Sequence, residues 1–186
     1  MKQVADKETA EILKIARECL DVPGDFVELG CYEGDTSLLL AEILKRSESG
    51  KKLWIYDSFE GLPDKTQEDE SALGVDFKKG ELFTTKRAVK LRFLKANLPV
   101  PVIKKAWFED LDAEKDLPEK IAFAFLDGDL YQSIKTSLEL VMPKMAKGGV
   151  IIVHDYHNEQ LPGVTQAVDE KFVRGETRES LFIARS

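Results

Sequence analysis

Apolar positions come in short blocks along this chain, and each block is followed by a stretch with helical spacing. The first such stretch is a helix that either Asp6 or Thr9 would cap, with Ile12, Ile15, Ala16, Cys19 and Leu20 on one face. Asp21-Val22-Pro23-Gly24 ends it. A strand is predicted over 26–29, a helix over 36–47, a strand over 53–56 and another over 100–107. Ile121-Ala122-Phe123-Ala124-Phe125-Leu126 is unbroken by any polar residue, as expected of a central parallel strand covered on both faces. A helix over 131–145 follows, stopped by Lys147-Gly148-Gly149. A buried strand over 150–153, a helix over 162–172 and a strand over 181–184 complete the pattern. Alternation of this kind predicts an α/β fold: a three-layer, doubly wound, mainly parallel sheet with right-handed crossovers, in a single domain over 1–186.

One segment breaks the rhythm. Between Ser58 and Leu98 there is no strand, and a basic helix with Lys86, Arg87, Lys90, Arg92 and Lys95 forms its second half. A long insert at the carboxyl end of a strand sits where open α/β sheets bind ligands. Residues 59–83 are therefore read as a mobile flap over a site, and the basic run as a solvated helix face.

Composition narrows the function classes. A net charge of -7 argues against nucleic-acid or anionic-membrane binding. Two cysteines, Cys19 and Cys31, are too few for a disulfide framework and fit a reducing cytoplasm. The polar start reads as carrying no signal peptide, and no apolar run reaches bilayer length.

The chemistry gathers at strand ends. Val27-Glu28-Leu29-Gly30-Cys31-Tyr32-Glu33-Gly34-Asp35-Thr36-Ser37 runs from an apolar stretch ending in an acid, through two glycines, into a hydroxyl pair that opens a helix. Asp57 ends the next apolar run. A glycine turn followed by a strand-end carboxylate is the sequence form of a site for an adenosine-containing cofactor. In a parallel sheet, Glu28, Gly30, Asp57, Asp127, Asp129, His154 and Asp155 all fall on one rim. Clustered acids repel and are costly to desolvate, so fold maintenance is a poor explanation for the set. The turn lacks the three-glycine dinucleotide pattern, which argues against a nicotinamide-dependent oxidoreductase.

Three segments resemble the macrocin O-methyltransferase (TylF/MycF) family of class I S-adenosylmethionine-dependent methyltransferases. They are the run from Glu28 to Thr36, Tyr56-Asp57-Ser58-Phe59-Glu60-Gly61-Leu62-Pro63, and Leu126-Asp127-Gly128-Asp129-Leu130-Tyr131 continuing to Gly148-Gly149 and His154-Asp155-Tyr156. The resemblance spans roughly residues 25 to 172. It implies a Rossmann-like fold, S-adenosyl-L-methionine as cofactor, a divalent metal (magnesium or manganese), and methylation of a hydroxyl on a small molecule such as a sugar or phenol. A homodimer is left open. The cofactor residues implied are Glu28, Gly30, Tyr32, Gly34, Thr36, Asp57, Ser58, Trp107 and Asp127, with Glu28 at the amino end and Asp57 accepting both ribose hydroxyls. Gly30 lets the chain turn close to the methionine part, Gly34 lets helix and cofactor approach, and Trp107 either stacks on adenine or packs in the core.

Asp127, His154 and Asp155 are implied as metal residues, and Asp127 and His154 as catalytic ones. The family pattern places two acids after the fifth strand, whereas this chain has His154 then Asp155. That leaves open a transition metal, a partial ligand set, an empty site, or His154 as a metal-free base. The N-terminal region is reduced to one helix, and the end carries one clear strand where the fold has a hairpin. The alternative to an enzyme is a noncatalytic protein that binds S-adenosylmethionine or a partner and keeps the fold alone.

Overall fold

The computed structural model describes residues 4–74 and 77–186. Its sheet is built from β1 (Asp25–Leu29), β2 (Leu53–Asp57), β3 (Val102–Lys105), β4 (Ile121–Leu126), β5 (Met145–Val153), β6 (Glu176–Arg178) and β7 (Leu181–Arg185). The strand order is β3-β2-β1-β4-β5-β7-β6. β3, β2, β1, β4 and β5 pair in parallel, while β7 runs antiparallel to both β5 and β6. The order reverses between β1 and β4, which opens a crevice at their carboxyl ends.

Alternation along each strand divides the core in two. Phe26, Ile55, Phe123, Phe125 and Ile152 face α1 (Asp6–Glu18), α2 (Asp35–Ser47) and α3 (Lys86–Lys95). Val27, Leu29, Ala124, Leu126, Ile151 and Val153 face α5 (Tyr131–Val141) and α6 (Pro162–Lys171). α4 (Ala113–Asp116) is a single turn. Every residue of β4 is buried, because helices cover both of its faces.

Several boundaries differ from the sequence expectation, each for a local reason. Neither Asp6 nor Thr9 caps α1. The N-cap is Ala5, whose N–H donates to the Glu8 carboxylate at 3.0 Å. The helix after β4 ends at Val141, and Met142–Lys144 forms a tight turn, because Pro143 cannot continue an α-helix. Lys147-Gly148-Gly149 is not a stop but part of β5. The chain end carries the β6–β7 hairpin rather than one strand.

The basic helix α3 is partly structural. Arg92 donates to the Glu33 carbonyl at 2.6 Å and to Asp35 at 2.5 Å, which ties α3 to the start of α2.

Of the segment 59–83 expected to be a flap, residues 75 and 76 lie outside the described residues. Its base is closed by backbone bonds, Leu62 N–H to Glu81 O at 2.8 Å and Gly80 N–H to Leu62 O at 2.9 Å. Buried Asp69 accepts from the first N–H of α5, at Tyr131, at 2.7 Å. It thus caps a helix 62 residues further along the chain. Among the described residues, no helix is long and apolar enough to cross a membrane.

Candidate active site

A cleft opens at the carboxyl ends of β1, β2 and β4, the usual place for a ligand in an open α/β sheet. Its wall includes Glu28, Gly30, Tyr32, Thr36, Asp57, Ser58, Trp107 and Asp127. Gly34 is the one expected cofactor residue that does not line it.

The two glycines have different reasons for being glycine. Gly30 has φ +86°, and a Cβ there would lie 2.0 Å from the Asp127 carbonyl. That fixes how tightly the β1 turn crosses the end of β4. Gly34 has φ +82° at the N-cap of α2, and a Cβ would meet Val89 Cγ1 at 3.3 Å. Its constraint is toward α3, not toward the cleft.

Asp57 ties two loops together. Its Oδ2 accepts from Cys31 N–H at 2.9 Å and Tyr32 N–H at 3.2 Å, and Oδ1 accepts from Phe59 N–H at 2.7 Å. A carboxylate offers about four acceptor positions, so Oδ1 is the freer oxygen. Ser58 is held by its own turn, donating to Gly61 O at 3.2 Å.

Glu28 is buried, and Ser37 donates to it. Burial pushes its carboxyl up to about 8, and the charges of Asp127 and Asp57 add to the rise. Trp107 sits half-buried on the wall, beside Phe108, which packs in the core.

A second group lies behind Asp127. His154 Nδ1 is 2.9 Å from Asp127 Oδ1 and 3.0 Å from Asp155 Oδ2. Its Nε2 is 3.4 Å from Glu8 Oε2. Burial alone would push the ring down, but the charges and hydrogen bonds of Asp127 and Asp155 outweigh it and hold it up at about 12. Ligand atoms of Asp127, His154 and Asp155 all lie within 4.8 Å of one another, close enough to share an ion.

Asp129, at φ +60° on the cleft wall, is pushed well above the usual carboxylate range by desolvation and then by Asp127 and Asp155. His157 stands apart, stacked on Tyr156 at 4.0 Å and lining a separate shallow cleft. Glu8 reads in the sequence as an ordinary first-turn helix acid. Only the tertiary fold carries it to a histidine 146 residues away.

The model of the macrocin O-methyltransferase family, described as Macrocin-O-methyltransferase (TylF), matches residues 6–178. A relative from Streptomyces olivaceus, an 8-demethyl-8-(2,3-dimethoxy-alpha-L-rhamnosyl)-tetracenomycin-C 4'-O-methyltransferase, is 32% identical over 73% of this chain and 54% of its own length. A demethyldecarbamoylnovobiocin O-methyltransferase from Streptomyces niveus is 29% identical over 85% of this chain and 64% of its own. The chain thus spans between about half and two-thirds of the length of these relatives. The solved O-methyltransferase NovP superposes with a TM-score of 0.78 at 28% identity, covering 93% of this chain and 78% of that one. The fold is the class I, Rossmann-like methyltransferase fold.

Proposed function

The chain belongs to the macrocin O-methyltransferase (TylF) family, and from that premise we propose that it transfers a methyl group from S-adenosylmethionine to a hydroxyl of a small molecule. The observation that carries this is the convergence of Gly30, Asp57, Glu28 and Asp127 on one cleft at the sheet's switch point.

In this reading the ribose lies against Asp57, chiefly at Oδ1, since Oδ2 is occupied by the Cys31 and Tyr32 amides. The adenine stacks on Trp107. The cofactor's ammonium faces Glu28, whose charged form it favours. The transfer is an in-line displacement: the acceptor oxygen bonds the methyl carbon as the carbon–sulfur bond breaks, and the hydroxyl proton must leave. Asp127, the carboxylate of the wall that His154 orients, takes that proton. Holding acceptor and methyl group in line contributes roughly 7 to 11 kcal/mol.

The donor set of Asp127, His154 and Asp155 fits a divalent cation, since two carboxylates and an imidazole on one point are a chelating group. Such an ion, when bound there, would lower the pKa of the acceptor hydroxyl. No Lys, Arg or His is among the described residues that line the cleft, and seven of them are acidic. A neutral acceptor, such as a sugar glycoside or a phenol, is therefore favoured over a phosphorylated one.

The test is S-adenosylhomocysteine formation over a panel of deoxysugar glycosides, phenols and nucleotide-linked sugars. Turnover on neutral hydroxyls supports the reading. Cofactor binding without turnover on any of them contradicts it.

A further inference from the structure

We propose that Glu8 is a positioning residue that makes His154 an Nδ1 ligand, and that the centre thereby prefers a first-row transition ion to magnesium. This rests on the reading of Asp127, His154 and Asp155 as a metal centre, and the experiment below separates failure of the two.

The His154 ring is enclosed on both sides. Its Nδ1 faces Asp127 Oδ1 and Asp155 Oδ2, the side on which an ion would be held. Its Nε2 faces the Glu8 carboxylate, at 3.4 Å. An ionised carboxylate accepts and cannot donate, so once Nδ1 is given over to an ion the ring keeps its hydrogen on Nε2, toward Glu8. The lone pair then lies at Nδ1, toward the two aspartates. A carboxylate behind an imidazole in this way fixes the tautomer and raises the basicity of the ligating nitrogen.

Glu8 is not a loose surface acid that happens to be near. It is 8% exposed. Its Oε2 also accepts from Ala5 N–H at 3.0 Å, and its Oε1 accepts from the Ser180 hydroxyl. Three elements therefore aim it: the α1 N-terminus, the β6–β7 turn and the end of β5. Burial would push its carboxyl up, but the Ser180 and Ala5 hydrogen bonds and the His154 charge outweigh this and keep it below its ordinary value.

The preference among ions follows from the donor atoms. Magnesium takes oxygen ligands and accepts nitrogen poorly, whereas manganese, iron and zinc accept an imidazole beside carboxylates. A buried imidazole with its own carboxylate support is a device for the second group.

The experiment is calorimetric titration of Mn²⁺, Zn²⁺ and Mg²⁺ into the chelator-stripped full chain, without cofactor or acceptor. It is paired with nitrogen-15 NMR of the Zn²⁺-loaded protein, in which only two histidines need assigning. We expect Mn²⁺ and Zn²⁺ to bind about tenfold or more tighter than Mg²⁺. Glu8→Gln should weaken them by roughly 10- to 100-fold. Ser180→Ala, which leaves the Glu8 charge in place, should change them far less. The NMR should show His154 protonated at Nε2 and metal-shifted at Nδ1.

Equal affinity for Mg²⁺ and Mn²⁺, or an unchanged affinity in folded Glu8→Gln, overturns the inference while leaving a metal centre standing. If Glu8→Gln does not fold, the native NMR decides, and ligation through Nε2 overturns it. Absence of binding by all three ions removes the metal centre itself, and the inference with it.

Discussion

Glu28→Gln should make the protein more stable above neutral pH and flatten its pH dependence. Glu28 is 1% exposed at the end of β1, with Ser37 as its hydrogen-bond donor. Burial, reinforced by Asp127 and Asp57, moves its carboxyl from 4.5 in the unfolded chain to about 8 in the fold. Between those values the folded state keeps a proton that the unfolded chain has released. The stabilisation from this group is therefore fully present below pH 4.5 and is lost as pH rises through 8. The full span corresponds to roughly 5 kcal/mol, to order of magnitude, since each pKa unit is about 1.4 kcal/mol. A glutamine has the shape of the protonated acid and no charge to desolvate. Urea unfolding from pH 6 to 9 measures the effect. The native protein should lose several kcal/mol over that range and Glu28→Gln much less. Equal losses in the two proteins would refute the assignment of this charge to a dry site.

Binding of S-adenosylmethionine near pH 7 should release up to about 0.9 proton if its ammonium meets Glu28, because a group at about 8 is mostly protonated there. Calorimetry in buffers of different ionisation enthalpy reads this, and Glu28→Gln should abolish it. Gly30→Ala should destabilise by more than about 3 kcal/mol, since it adds the strain of a positive φ to a backbone clash at the Asp127 carbonyl. Thermal unfolding checks it, with a drop of less than about 5 °C counting against the argument. Asp69→Ala removes the distant cap of α5 and should cost about 1–2 kcal/mol. It should also speed limited proteolysis within residues 59–83, whereas an unchanged cleavage rate would show that Asp69 does not hold that segment.

What could be read from the sequence was set by local rules. β4 matches its expected bounds because six apolar residues between polar flanks admit one interpretation. The strand-end acids fall on one rim because parallel topology leaves them nowhere else. The misreadings came where tertiary pairing overrides local signals. Gly148 and Gly149 read as a helix stop, yet their backbone bonds to Ser186, just past the end of β7, draw them into β5. β6 is three polar residues, and only its partner β7 makes it a strand. Glu8 and Asp69 carry no sequence mark at all. Each acts on a group brought from far along the chain, and burial of a charged residue cannot be read from spacing.

The most direct measurement is calorimetric titration of S-adenosylhomocysteine into the native protein and into Asp57→Asn. The account predicts saturable binding to the native cleft. It predicts an affinity at least about tenfold weaker in the variant, whose amide replaces a carboxylate that would accept from the ribose. No heat with the native protein, or equal affinity in the two, would contradict the claim that Asp57 and the Gly30 turn hold the cofactor.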